Sequence, residues 1–145
     1  MTLWHAPFTP EDINRTGQST LPGHLGMECT EVGADFLRMR MPVDARTHQP
    51  AGLLHGGATV ALAETVGGVA SWHVIAPGSA HVVGQEINAN HIRSARDGFV
   101  IATCRPLHIG RTSHVWDIRV ENPDGKLISI VRLTNAVLAV ERKPG

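Results

Sequence analysis

Glu64 is the residue of this sequence whose surroundings most clearly point to chemistry. It lies within Gly57 to Trp72, a run in which all the remaining residues are small or apolar. Such a run on all sides of a helix predicts a helix enclosed by other structure. Between Arg46 and Glu86 there is no other Asp, Glu, Lys or Arg. Because burial raises the pKa of a carboxyl group, we expect Glu64 to be a buried acid kept for catalysis.

The start of the same predicted helix carries a second signal. Gln49, His55, Gly56 and Gly57 place polar side chains and unobstructed backbone N–H groups at this end. The N-terminus of a helix carries partial positive charge and stabilises negative charge on a nearby oxygen. These residues therefore predict a site that stabilises an oxyanion.

The spacing between these two signals has a consequence for assembly. His55 and Glu64 are nine residues apart, which corresponds on an α-helix to roughly 13 Å of rise and about half a turn. The two side chains cannot meet within one helix. If both belong to one site, Glu64 must face the helix start of a second copy, so the spacing predicts a site shared across a dimer.

The surrounding pattern predicts one helix among antiparallel strands. Thr9 and Pro10 are typical of the start of a short helix, which we expect over Pro10 to Thr16. Asn122 to Gly125 is typical of a hairpin turn. Hydrophobic alternation and turn residues predict six strands, over Leu25–Thr30, Phe36–Val43, Val82–Ile92, Phe99–Ile109, Ser113–Glu121 and Leu127–Val140. This order predicts an α+β domain in which the sheet curls round one long helix.

Composition narrows the classes of partner. The 145 residues suit one domain, 1–145, and the formal net charge is zero. Without a basic cluster, we expect no nucleic-acid partner and no acidic membrane partner. Cys29 and Cys104 have no metal-ligand spacing, and their apolar neighbours predict reduced core thiols in a cytoplasmic protein.

Two further expectations concern targeting and metals. Met1 to Thr20 lacks the basic start and apolar run of a signal peptide. The longest apolar stretch, Ala58 to Val69, contains Glu64 and is too short to span a bilayer. The nine histidines show no HxH or HExxH spacing, so we expect no metal site.

Three blocks of sequence resemble a known family. They are Pro42 to Ala58, which contains Leu-His-Gly-Gly, then Ala63-Glu64, and Glu86 to Ala95, which contains Asn-Ala-Asn-His. These blocks are similar to the hotdog-fold acyl-CoA thioesterases, in the branch of the 4-hydroxybenzoyl-CoA and 1,4-dihydroxy-2-naphthoyl-CoA thioesterases. The resemblance extends from about Leu21 to Leu138. It implies a hotdog fold, hydrolysis of an aromatic acyl-CoA without a cofactor, and a homo-oligomer built as a dimer of dimers.

The resemblance also implies roles for individual residues. Glu64 matches the carboxylate that attacks the thioester carbonyl or activates a water to do so. Gly56 matches the backbone N–H that polarises the thioester oxygen. Gln49 and His55 match the side chains that orient the thioester, and in the family these come from the subunit opposite the one that supplies Glu64.

Binding of the pantetheine arm and nucleotide phosphates is assigned by region. The corresponding residues are Asn90, His91, Arg93, Arg111, Thr112 and Ser113. Gly68 departs from the pattern, because many relatives carry Ser or Thr there to hold the hydrolytic water. Candidate walls for the acyl group are Trp4, Phe8, Val69 and Trp72.

Several alternatives remain open on sequence alone. A dehydratase or hydratase of 3-hydroxyacyl thioesters on the same fold also pairs a His with a helical acid, and a non-catalytic acyl-CoA-binding protein is a third function. Glu64 could instead be a structural acid paired with Arg93, and His55 could simply cap the helix. Arg93, Arg96 and Arg111 could be solvated strand ends. The sequence does not choose between CoA and an acyl carrier protein as the donor.

Overall fold

The computed structural model describes residues 1–140 of the chain. Within that range the elements are α1 (Pro10–Gly17), α2 (Leu21–His24), β1 (Glu28–Val32), β2 (Leu37–Pro42), α3 (Gly56–Val74), β3 (Ala80–His91), β4 (Phe99–Ile109), β5 (Ser113–Glu121) and β6 (Leu127–Ala139). Residues 141–145 of the predicted single domain lie outside the described range.

All six strands form one antiparallel sheet. Their order is β1-β2-β4-β5-β6-β3, so β1 and β3 are the two edge strands. Helix α3 lies across one face of the sheet and contacts β2, β3, β4, β5 and β6. The predicted α+β architecture of one long helix against an antiparallel sheet is confirmed.

The alternation predicted for β5 is confirmed in the core. Trp116, Ile118 and Val120 are fully buried and face α3 together with the buried residues of β4 and β6. The hairpin that follows is fixed by Asn122, whose side-chain oxygen accepts hydrogen bonds from the backbone N–H groups of Asp124 (3.1 Å) and Lys126 (2.9 Å). An Asn side chain commonly fixes a turn in this way.

The long helix differs from the prediction in its burial. Leu62, Ala63, Val66 and Ala70 are buried against the sheet, but Glu64 on another side is exposed. The expectation that Glu64 is buried is therefore wrong for the single chain. The physical reason is that the sheet covers one side of the helix, and the small residues on the other side only made the sequence look apolar all round.

The segment before β1 also differs from the prediction. A strand was expected from Leu25, but Leu21–His24 forms the short helix α2 and the strand begins at Glu28. Pro22 lies in the first turn of α2, where its fixed φ suits a helix. Gly26 then adopts a positive φ of 68°, which turns the chain into β1.

Both cysteines are free and buried, as predicted. Burial raises the pKa of the Cys29 thiol to about 11 and raises that of Cys104 well above its usual range. Both thiols are therefore protonated at neutral pH, which makes them poor nucleophiles.

Candidate active site

The loop before α3 is held in place by its own side chains. The hydroxyl of buried Thr47 donates to the Pro42 carbonyl at 2.7 Å. Asp44 binds the guanidinium of Arg46 at 2.7 Å, and this contact lowers the pKa of Asp44 to about 2. The Thr47 carbonyl in turn accepts the N–H of His55 at 2.8 Å. The loop thereby fixes where α3 begins.

His55 is the N-cap residue of α3. Its Nδ1 accepts the backbone N–H of Gly57 at 2.8 Å. Because Nδ1 is the acceptor, the neutral ring carries its proton on Nε2. The capping role considered for His55 is therefore confirmed, and it leaves an N–H donor on the exposed side of the ring.

Two more donors are available beside this cap. The backbone N–H of Gly56 makes no hydrogen bond with any residue in the range 1–140, because the first amide of a helix has no partner within the helix. The side-chain oxygen of Gln49 accepts the N–H of Ala51, which directs the amide NH₂ away from that contact. Gln49 and Gly56 both line a cavity of about 220 Å³ at the helix start.

His91 closes one side of this cavity. Its Nδ1 lies 2.7 Å from the hydroxyl of Ser129, the residue opposite it on β6. Its Nε2 lies 2.7 Å from the point where a Cβ on Gly56 would be, so only glycine fits beneath the ring. Arg93 lines the same cavity. The fold therefore brings Gln49, Gly56, His91 and Arg93 together.

Glu64 lies elsewhere, over the edge strand β3. Its Oε1 is 2.3 Å from the point where a Cβ on Gly84 would be, so the carboxylate occupies space that a side chain would fill. Within residues 1–140 Glu64 makes no ion pair, so the alternative of a structural pair with Arg93 finds no support. The distance along α3 from Gly56 is roughly 12 Å.

The remaining predicted site residues do not line the cavity at the helix start. Asn90 is exposed on β3, and Gly68 lies one turn after Glu64 with open space around it. Arg111 lines a separate cavity of about 430 Å³ beside Val74, at the far end of α3. Thr112 lies in the turn between β4 and β5 that also contains Arg111, and Ser113 is the first residue of β5. In one chain they lie at the opposite end of α3 from His91 and Arg93.

Comparison with known proteins decides the family. The model of the Thioesterase superfamily matches residues 51–129. This range includes the helix start, Glu64 and the strand that carries His91. The chain belongs to the thioesterase superfamily. It is a thioester hydrolase.

This thioesterase has relatives that match it almost end to end. The 1,4-dihydroxy-2-naphthoyl-CoA hydrolase of Escherichia coli is 46% identical over 94% of this chain and 99% of the relative. The proofreading thioesterase EntH of Cronobacter turicensis is also 46% identical, over 94% of this chain and 98% of the relative.

Solved structures show the same fold. A mutant of thioesterase PA1618 from Pseudomonas aeruginosa superposes with a TM-score of 0.94 at 44% identity, covering 96% of this chain and 100% of that chain. Thioesterase HI1161 from Haemophilus influenzae gives 0.94 at 41% identity, covering 99% and 100%. The hotdog fold expected from the resemblance is confirmed.

Two residues that contribute to the geometry of this thioesterase were not predicted. Gly84 gives Glu64 its place, and a glycine inside a strand is a recognised sign of close approach. Ser129 fixes the ring of His91, but the pairing depends on the register of β3 against β6, which no local pattern reveals.

Residues 1–140 show neither a membrane-spanning helix nor a metal-binding cluster. No helix there is both long and apolar enough to cross a bilayer. In the same range, the His, Cys, Asp and Glu side chains form no group of three or more that could hold a metal ion.

Proposed function

We propose that this thioesterase hydrolyses an aromatic acyl-CoA to the free acid and CoA, with Glu64 as nucleophile or general base. The observation that carries the proposal is the convergence of free donors at the start of α3. Gly56 and Gln49 line one cavity, and within residues 1–140 neither the Gly56 N–H nor the Gln49 amide NH₂ has a hydrogen-bond acceptor. The aromatic acyl group is supported by the resemblance and by the activity in the name of the Escherichia coli relative.

The donors and the carboxylate divide the chemistry between them. A thioester carbonyl placed against Gly56 gains negative charge as the reaction proceeds, and one well-placed N–H stabilises that charge by roughly 3 to 4 kcal/mol. Gln49 and the Nε2–H of His55 orient the same carbonyl. As a nucleophile, Glu64 attacks the carbonyl carbon, the C–S bond breaks with loss of the CoA thiolate, and water hydrolyses the resulting anhydride. As a general base, Glu64 removes a proton from the water that attacks the carbonyl carbon, and the C–S bond then breaks to release the CoA thiolate.

The site is shared between two copies of the chain. Glu64 is roughly 12 Å along α3 from Gly56, so one chain does not bring them to one carbonyl. Glu64 lies against Gly84 on β3, whose outer edge is unpaired in the single chain. A long open edge is a template for pairing with another strand. A second copy joined at β3 would bring its helix start towards Glu64.

The acyl group is assigned to a cavity on the other flank of α3. This cavity has a volume of about 460 Å³ and lies between α3 and the segment that holds α1 and α2. Val69, a predicted wall, lines it together with Ile13 and Met39. Trp4 instead packs edge-to-face on Phe8, and its Nε1 donates to the Gly33 carbonyl, so Trp4 belongs to the core.

Release of free CoA thiol tests the function directly. Benzoyl-CoA, a hydroxybenzoyl-CoA, a hydroxynaphthoyl-CoA and hexanoyl-CoA are assayed with the wild type, Glu64→Gln and Glu11→Gln. Glu64→Gln is expected to lower kcat about 10²-fold or more with little change in KM. Glu11 is an exposed acid in the first turn of α1, away from β3, and its variant is the control. Equal kcat for Glu64→Gln and the wild type refutes the catalytic role.

Mixing two inactive variants tests the shared site. Glu64→Gln and Gln49→Ala are combined in equal amounts, unfolded and refolded together. In a shared site, mixed dimers regain one intact site, and total activity rises to about a quarter of the wild type. Activity that stays at the sum of the two separate variants means that each chain supplies a whole site.

A further inference from the structure

Four buried polar side chains meet under the C-terminal half of α3, away from the helix start. They are Ser71, His114, Trp116 and Asn135, and none is more than 2% exposed. The Ser71 hydroxyl is their common partner. Its Oγ lies 2.7 Å from Trp116 Nε1, 2.8 Å from Asn135 Nδ2 and 3.0 Å from His114 Nδ1. The proposed reaction uses none of these groups.

The hydrogen-bond partners of the Ser71 hydroxyl determine which ring nitrogen of His114 is protonated. The indole N–H of Trp116 can only donate. The Asn135 atom beside Ser71 also lies 3.1 Å from the Gly67 carbonyl, which can only accept, so that atom is the amide nitrogen. These two donors fill both lone pairs of the Ser71 hydroxyl. Its single proton must go to Nδ1 of His114, which is therefore unprotonated, and the neutral ring carries its proton on Nε2.

A protonated ring does not fit this arrangement, because Nδ1–H would face an oxygen with no free lone pair. Burial lowers the pKa of His114, and the nearby His108 lowers it further, while a backbone contact with Gly110 acts in the opposite direction. The ionisable groups around it are His108 on β4 and Arg111 in the β4–β5 turn. α3, β6 and the segment before β3 present Ser71, Asn135 and Ser79, which do not titrate in the neutral range.

The cluster lies next to Glu64. His114 pairs with Asn135 on β6, and Asn135 pairs with Gly84 on β3, so the three residues form one row across three strands. Glu64 fills the space above Gly84. Two strand spacings, roughly 10 Å, separate His114 from this point. Asn135 also binds the carbonyl of Gly67, three residues after Glu64.

We propose that His114 is a proton-sensitive positioning residue for Glu64. Its neutral ring completes the hydrogen bonds that hold α3 over β6 and β3, and protonation breaks them and lets the Glu64 carboxylate shift. The inference rests on the catalytic role given to Glu64 under Proposed function. Since the unfolded chain binds a proton on His114 at about pH 6.5, this stabilisation is present above that pH and is lost as the pH falls.

Nitrogen NMR of the histidine rings in the full-length wild type tests the protonation state without any assay of turnover. The expected result is an Nε2–H tautomer for His114 at pH 7.5 and a titration midpoint below the ordinary value of about 6.5. An Nδ1–H tautomer, or a midpoint at or above the ordinary value, overturns the proposal. Failure of the proposed function would leave this result unchanged, so the two failures are distinguishable.

Kinetics between pH 5.5 and 8 test the link to Glu64. His114→Asn keeps an acceptor oxygen near the position of Nδ1 but cannot titrate, and the control is His5→Asn, at an exposed histidine in the N-terminal segment. Between pH 8 and 5.5, kcat of the wild type and of the control is expected to fall roughly threefold more than kcat of His114→Asn. KM is expected to change by the same factor in all three proteins. Parallel kcat profiles overturn the link.

Urea unfolding gives a second readout that does not depend on catalysis. The wild type is expected to lose more stability than His114→Asn between pH 7.5 and 5.5, because the variant lacks the His114 ring, which folding keeps neutral. Equal losses overturn the proposal.

If His114→Asn does not fold, Ser71→Ala gives another test, because it removes the oxygen that requires His114 to be neutral. NMR should then show the titration midpoint of His114 rising towards its ordinary value. An unchanged midpoint in Ser71→Ala also overturns it.

Discussion

At the scale of single residues, the position of the Glu64 carboxylate depends on the lack of a side chain at Gly84. Glu64 makes no ion pair within residues 1–140 and is exposed. What locates its carboxylate is the space above Gly84, together with the packing of α3 on the sheet. A catalytic group loses much of its effect when it is displaced by about 1 Å. The glycine therefore matters for geometry more than for folding.

Gly84→Ala is expected to lower kcat by roughly 10- to 100-fold while leaving the thermal transition almost unchanged. The new Cβ would meet only the end of the Glu64 side chain, 2.3 Å away, and that end can swing aside without disturbing the core. CoA release and a melting curve measure the two quantities.

Thr30→Ala provides the control, since Thr30 is exposed on β1, the edge strand at the opposite end of the sheet from β3. Its kcat should stay within about twofold of the wild type, as expected for a surface residue outside special features. Wild-type kcat in Gly84→Ala would show that Glu64 does not need this space.

At the scale of elements, the two sides of α3 differ in how closely other atoms approach the helix. Gly67 faces the sheet, where a Cβ would lie 2.4 Å from Leu133 and 3.4 Å from Ile118. Gly68 faces outwards, and a Cβ there would meet nothing within 4 Å. Close packing against the sheet therefore requires glycine at position 67 but not at position 68.

Alanine at the two positions should therefore change stability in opposite directions. Gly68→Ala is expected to raise the free energy of unfolding by about 0.5 to 1 kcal/mol, because alanine loses less backbone entropy in a helix. Gly67→Ala is expected to lower it by roughly 1 to 3 kcal/mol through overpacking against Leu133. Urea unfolding measures both, and each variant is the control for the other. The same sign for both would contradict the assigned faces.

At the scale of the whole molecule, the open edge and the uncovered side of α3 lie next to each other. Strand β3 has a neighbour on one side only, and Val83 on it is 48% exposed. Trp72 on α3 is 53% exposed. An exposed apolar strand edge is unusual in a monomeric protein, so we expect another chain to cover this edge.

Val83→Asp is expected to weaken the dimer and with it the activity per chain. The buried charge would have no partner at a β3–β3 contact, so dissociation should appear at micromolar protein concentration. Light scattering after size exclusion gives the mass, and CoA release gives the activity of the same samples.

Leu107→Asp is the control, because Leu107 is 55% exposed on β4, an inner strand far from the β3 edge. It should keep the mass and kcat of the wild type. A fully active monomer in the Val83→Asp sample would contradict the shared site.

The sequence alone determined the elements and the chemistry of the helix start. The turn at Asn122, the alternation around Trp116 and the apolar run around Glu64 all act through neighbours in the chain, so local patterns reveal them. The motif beginning at Gln49 pointed to the donors that the fold brings to one cavity. Local patterns did not reveal α2 or the turn at Gly26, so the strand expected from Leu25 begins at Glu28.

Only the tertiary structure decided which side of α3 is covered and what lies opposite each side chain. The exposure of Glu64 depends on which side of α3 the sheet covers. The space above Gly84 and the contact of His91 with Ser129 depend on strand register. The cluster around Ser71 depends on both, because its partners on β5 and β6 are 43 to 64 residues away. Register is set by the packing of the whole sheet against one helix, and a shift of one residue would turn the side chains of a strand to the other face.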